Sequence, residues 1–145
     1  MEFDLFETSY RLINKYNQKN QKPKRYGTEE LLYTAEVHML DVIGKHETIT
    51  TTKLAELLGI TKGAVSQTTN KLLEKCLIEK YPSIERKNEI HIVLSEKGNI
   101  VFDYHQSMHK KTMDKVANIL GGLSNESIDA IRVVVDLMDE MLDEI

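Results

Sequence analysis

Thr51-Thr-Lys-Leu-Ala-Glu-Leu-Leu-Gly59-Ile-Thr61-Lys-Gly-Ala-Val-Ser-Gln-Thr-Thr-Asn70-Lys-Leu-Leu-Glu-Lys75 is the stretch on which the fold turns. Its first eight residues read as a short helix capped by Thr50 or Thr51 and stopped by Gly59. Thr61 then precedes a second helical run over 62–75, whose inner face is expected to hold Val65, Thr69, Leu72 and Leu73. Gly59 permits a tight reversal, Ala55 is small where the two helices must approach, and Leu54, Leu58, Ile60, Val65 and Leu72 are expected to hold the pair together. Two short helices joined this way have the layout of a helix-turn-helix, whose second helix enters the major groove of DNA.

A helical hairpin alone is weak evidence, and the outward face of the second helix says more. Lys62, Gly63, Ala64, Ser66, Gln67, Asn70 and Lys71 offer small or hydrogen-bonding groups, with no carboxylate before Glu74. Ser, Gln and Asn are side chains that read base edges, while Lys62 and Lys71 suit phosphates. Thr51, at the head of the first helix, is assigned to the same face. The bland alternative is a solvated polar surface. Against it stands the next segment: residues 77–81 and 89–94 alternate as a hairpin with Ile90, Ile92 and Leu94 on one face, and Arg86 and Lys87 at its tip could enter a minor groove.

Further out, the spacing predicts an amphipathic helix over 3–16, a polar loop over 17–25, and a short helix capped by Thr34 and running to Ile43. Ser95 is expected to cap a long helix that ends at Gly121-Gly122, and Ser124 a last one. That last helix carries Ile128, Ile131, Val135, Met138, Leu142 and Ile145 on one stripe and Val134, Leu137 and Met141 on a second, so more than one side wants cover. It reads either as an ordinary core helix or as part of a subunit interface joined by the first helix. The fold class expected is mainly α (α+β): a winged helix-turn-helix over 34–98, with dimerisation helices in 1–33 and 99–145, all within one domain of 145 residues.

Charge permits this reading without proving it. The net charge is −4, but residues 49–98 carry 8 basic and 6 acidic groups, whereas residues 99–145 carry 4 and 9. The one cysteine, the acidic start Met1-Glu2-Phe3-Asp4 and the interruption of every apolar run point to a cytoplasmic protein with no membrane partner. No Gly-rich phosphate loop, nucleophile elbow or zinc-protease motif is present, so no catalytic residue is assigned. The competing class is a winged-helix module that binds protein instead of DNA; the carboxylate-poor helix face argues against it.

Thr50-Thr-Thr-Lys-Leu-Ala-Glu-Leu-Leu-Gly59, Ile60-Thr-Lys-Gly-Ala-Val-Ser-Gln67, Asn70-Lys-Leu-Leu-Glu-Lys75, Leu94-Ser-Glu-Lys-Gly98 and Leu123-Ser124 together resemble the MarR family of transcription regulators. The resemblance implies a homodimer with interlocked terminal helices, two winged helices on a palindromic operator in double-stranded DNA, and repression or activation relieved by a ligand, metal or oxidant. Two positions depart from the family. Its Asp-x-Arg-like wing pattern is met here by Ile84-Glu85-Arg86-Lys87-Asn88, where Glu85 takes the acidic role only with one residue inserted. Cys76 stands where the family has Gly after the recognition helix, and positive φ at a non-Gly residue costs roughly 1 kcal/mol.

No cofactor is required, and the candidate signals are Zn²⁺ or another divalent metal, or a small aromatic effector. His105 and His109 are four apart on one helix, a spacing suited to a shared metal. With His38 they resemble positions used by the zinc-sensing branch of the family. Asn20 and Tyr26 fall near that branch's carboxylate and cysteine ligands, leaving Glu29, Glu30, Glu36 or water as a fourth donor. An aromatic-ligand pocket and plain packing remain alternatives for the three histidines. His46 and His91 read as surface residues, and Cys76 as a small structural hydrophobe instead of a redox switch.

Overall fold

A computed structural model describes residues 4–143, so the expected roles of Phe3 and Ile145 lie outside the described residues. Asp4 caps α1 (Leu5–Asn20) by accepting from Glu7 N–H at 2.9 Å. The helix runs on through the polar stretch 17–20 that the sequence assigned to a loop, since Asn, Gln and Lys carry no stop signal. β1 (Lys24–Arg25), at the end of the expected loop, and β2 (Leu31–Leu32), beyond it, then form an antiparallel pair that the sequence did not predict.

α2 (Thr34–Gly44) follows, and its cap differs from expectation. Thr34 is already helical; Tyr33 is the cap residue, and Glu36 Oε2 reaches back to accept from the Tyr33 N–H at 2.8 Å. β3 (Ile49–Thr50), α3 (Thr51–Leu58), α4 (Lys62–Glu74), β4 (Ile78–Pro82) and β5 (Ile90–Leu94) complete the winged region. The sheet has the order β3-β5-β4, all antiparallel, so β5 is central.

The core is built by Leu32, Val37, Leu40 and Ile43 from β2 and α2, Leu54 from α3, and Val65 and Leu72 from α4. Leu77, Ile78 and Ile92 of the wing and Val101 of the next helix close it. Burial of each such side chain contributes about 1.5–3 kcal/mol. Three expectations of facing are corrected. Leu73 is exposed because it lies on the flank of α4 turned away from this core, Ile60 is exposed in the turn between α3 and α4, and Ile90 lies half in solvent at the far end of the wing.

Ser95 caps α5 (Glu96–Gly121) as expected: its Oγ accepts from Gly98 N–H at 3.0 Å and donates to Cys76 O at 2.6 Å. A Cβ at Gly98 would lie 1.9 Å from the Leu77 carbonyl oxygen, so the first turn of α5 fits against the wing only without a side chain there. Contacts cluster into two units, one ending at Gln106 and one beginning at Ser107. The second holds the remainder of α5 and α6 (Asn125–Asp143), where Ser124 Oγ caps Ser127 N–H at 3.2 Å. Among the described residues neither α1 nor α6 buries a side chain, and no helix is long and apolar enough to cross a membrane.

Candidate nucleic-acid interface

Thr50 Oγ1 accepts from Lys53 N–H at 3.2 Å and so begins α3, of the two caps the sequence allowed. Gly59 ends α3 at φ 64°, a left-handed conformation that glycine adopts without strain, and Ile60 N–H returns to Ala55 O at 3.1 Å. Thr61 Oγ1 then takes the Ala64 N–H at 3.1 Å and starts α4. Val65, Thr69 and Leu72 bury one side of α4 against Leu54 and Ala55 of α3, which turns the opposite side outward.

On that outward side Lys62, Gly63, Ser66, Gln67, Asn70 and Lys71 are exposed and Ala64 is half-buried. Nothing but Thr61 Oγ1, at 3.8 Å, lies near the place of a Gly63 Cβ, so the glycine leaves open space there. Asn70 has a partner the sequence did not suggest: Lys80, on β4, donates to its Oδ1 at 3.0 Å. Burial against the sheet lowers the Lys80 pKa, and the amide oxygen replaces part of the lost water.

β4 and β5 pair in continuous register from Ile78 opposite Leu94 to Pro82 opposite Ile90. At the tip Ser83 Oγ accepts the N–H groups of Glu85 and Arg86 at 3.3 and 3.2 Å. The acidic partner of Arg86 is Glu89, at 3.3 Å, and not Glu85, because the turn brings residues three apart together. Arg86 and Lys87 are exposed there. Between the wing and the start of α3 lies a cleft of about 620 Å³, lined by residues 50–53, Glu56, Arg86 and residues 88–90, with Thr51 half-buried in its wall. His91, expected at the surface, is half-buried and lies 3.5 Å from Glu89 Oε1; His46 is exposed and donates to Val42 O at 2.8 Å.

A second cluster gathers on α2 and α5. His105 is buried, with Nδ1 2.6 Å from Asp41 Oδ2 and its ring 6.0 Å from that of His38 and 5.8 Å from that of Tyr26. Tyr16 stacks on His38 at 6.2 Å, its hydroxyl 3.4 Å from His38 Nδ1. His105 and His109 lie four residues apart on α5, the spacing the sequence predicts. Among the described residues no three His, Cys, Asp or Glu groups are arranged to hold a metal ion.

Two of the three acids offered as a fourth donor, Glu36 and Glu30, are engaged elsewhere. Glu36 is bridged to Lys75 at 2.7 Å, and Lys75 also donates to Leu31 O at 3.0 Å. Glu30 is bound by Lys97, whose hydrogen bond is the main cause that holds its carboxyl below the usual range. Asp41 is the acid missed. Its signal was present, since Asp41 follows His38 by three and so shares a helix face with it. Cys76 is exposed, which corrects its reading as a packed hydrophobe, while its φ of 56° bears out the expected left-handed turn.

Comparison with known proteins agrees with this geometry. A sequence profile described as the MarR family matches residues 32–87. HTH-type transcriptional regulator PchR of Bacillus subtilis (strain 168) is 28% identical over 107 residues, which is 74% of this chain and 63% of the relative, so less than two thirds of that protein is spanned. The solved structure of Streptococcus pneumoniae FabT in complex with DNA is 25% identical with a TM-score of 0.67, covering 97% of this chain and 99% of that one. Lactococcus lactis ZitR, described as a zinc-responsive MarR family member, superposes with a TM-score of 0.64 at 21% identity over 94% of this chain and 96% of its own.

Proposed function

Because the chain belongs to the MarR family, we propose that it is a sequence-specific transcription regulator that binds a palindromic operator in double-stranded DNA as a homodimer. On this reading residues 1–145 are one MarR-type domain, acting in the cytoplasm as a repressor, with residues 34–98 meeting DNA and the terminal helices meeting a second copy. The observation that carries it is the outward face of α4: six exposed residues from Lys62 to Lys71, none of them acidic, above a wing whose tip presents Arg86 and Lys87.

In the major groove Ser66, Gln67 and Asn70 meet base edges while Lys62 and Lys71 meet phosphates; Gly63 and Ala64 let the backbone come close. Thr51, at the start of α3, joins the contacts to DNA, and Arg86 and Lys87 enter the flanking minor groove. A twin subunit sets its own α4 about 34 Å away, one turn along the same side of the duplex. The exposed apolar residues of α1 and α6, among them Phe6, Tyr10, Leu137 and Leu142, supply the surface for that second copy.

We place the effector at the cluster of Tyr16, His38, Asp41 and His105, where aromatic rings and a carboxylate meet. A small aromatic molecule matches this chemistry. A divalent metal held by His38, His105 and His109 is the second reading, in keeping with the zinc-responsive protein among the similar structures, although the described residues contain no group of three donors arranged to hold one. The effector acts only through differential affinity for two arrangements of the dimer.

The test is binding to duplexes selected from a pool with a randomised centre. Gln67→Ala relaxes the selected sequence; Lys71→Ala weakens every sequence alike and lowers the salt slope by about one. A protein that is monomeric, or ignores DNA at low ionic strength, refutes the proposal.

A further inference from the structure

Asn70 is assigned above to base reading, and its amide oxygen already accepts from a cationic side chain. Lys80 donates to Asn70 Oδ1 at 3.0 Å across ten residues of chain, from the first strand of the wing to the outward face of α4. An ammonium has three donors and no acceptor, so the amide atom that faces it must be the oxygen. The oxygen keeps a second lone pair, but beside a positive charge, and the Nδ2 group is the part of Asn70 left uncommitted.

Asparagine ordinarily reads adenine with both ends at once, accepting from N6 and donating to N7. Here the oxygen already holds a cation. The N6 amino group of adenine is a donor with its own positive charge density, and an ammonium beside the same oxygen repels it. Guanine offers two acceptors, N7 and O6, at the same edge, and neither conflicts with Lys80.

We infer that Lys80 is a specificity-determining positioning residue: by holding Asn70 Oδ1 it converts Asn70 from a two-ended reader of adenine into a donor-only reader of base acceptors, guanine foremost. The inference rests on the placement of α4 in the major groove proposed above. Lys80 need not touch DNA for this effect, which separates it from Lys62 and Lys71. Its exclusion of adenine disappears when the donor is removed, even though Asn70 is untouched.

Selection from the randomised duplex pool, followed by sequencing, is run on the parent, Lys80→Met, Lys80→Arg and Asn70→Ala. The parent disfavours adenine at one position of each half-site. In Lys80→Met adenine at that position rises about fivefold or more while the rest of the motif stays, a factor set by the lower bound for one bidentate base contact. Lys80→Arg retains a donor and the parent's preference, and Asn70→Ala levels the same position. Lys80→Ala is a second removal of the donor, should the methionine variant fail to fold by circular dichroism. If Lys80→Met keeps the parent's base preference and only weakens all sequences with a smaller salt slope, Lys80 is a phosphate contact and the inference is overturned, while α4 keeps its place in the groove. If the parent enriches no sequence, the proposed function falls and this inference with it.

Discussion

Exchange of Gly98 for alanine tests how the wing and α5 are joined. The added Cβ would lie 1.9 Å from Leu77 O and 3.0 Å from Leu77 C, against about 3.3 Å for the closest comfortable carbon–oxygen contact. Relief therefore needs a shift of more than an ångström on one side. Leu77 cannot supply it freely, since its side chain is buried and its carbonyl accepts from Ser95 N–H at 3.1 Å. Nor can α5, whose cap ties Ser95 Oγ to Cys76 O at 2.6 Å and to Gly98 N–H at 3.0 Å.

Overpacking of this kind costs up to about 3 kcal/mol, and alanine returns about 1 kcal/mol of helix propensity, which leaves a net loss of about 2 kcal/mol. For a chain of this length that corresponds to a fall in Tm of about 4–8 °C. The assay is thermal unfolding followed by circular dichroism at matched protein concentration, because association shifts the midpoint. Gly121→Ala is the control on the same helix: nothing lies within 4 Å of its added Cβ, so its Tm stays at or above the parent's. A Gly98→Ala protein that melts within about 2 °C of the parent would refute the close approach and the joint it implies.

Cys76→Gly removes the strain of a left-handed cysteine and raises the urea midpoint by the equivalent of about 0.5 kcal/mol after the extra unfolded-state entropy is counted. Cys76→Ala keeps the strain and shows no gain. Glu30 has a lowered pKa when folded, so its contribution is present above its ordinary value of 4.5 and lost as pH falls through the lower folded value. The stability difference between the parent and Glu30→Gln is accordingly constant in the neutral range and closes below pH 4.5, as read by Tm across a pH series.

What could be read from the chain in advance was whatever is written locally. Thr61, Ser95 and Ser124 each carry a hydroxyl that caps the helix they precede, and Gly59 ends α3 where only a left-handed residue fits. β1, β2 and β3 escaped because two residues show no period. Ile49 is a strand residue only by virtue of Ile92, more than forty positions on. Leu73, on α4, and Ile60, in the turn before it, were placed inside because apolarity says what tolerates burial and not which positions a neighbour covers. The side-chain partners were missed for a related reason: Asp41 meets His105, Glu89 meets Arg86 and Lys80 meets Asn70 through turns and crossings that composition does not record.

The position of β5 between β3 and β4 also bears on synthesis. It is the last of the three strands to be made, so a nascent chain leaving the ribosome holds β3 and β4 without the neighbour that both bond to. Until Ile90–Leu94 emerges, both strands have unsatisfied edges open to other chains. A fragment cut at residue 87, where the matching family profile stops, would keep that hazard permanently. The smallest self-sufficient piece of this region has to extend through Leu94.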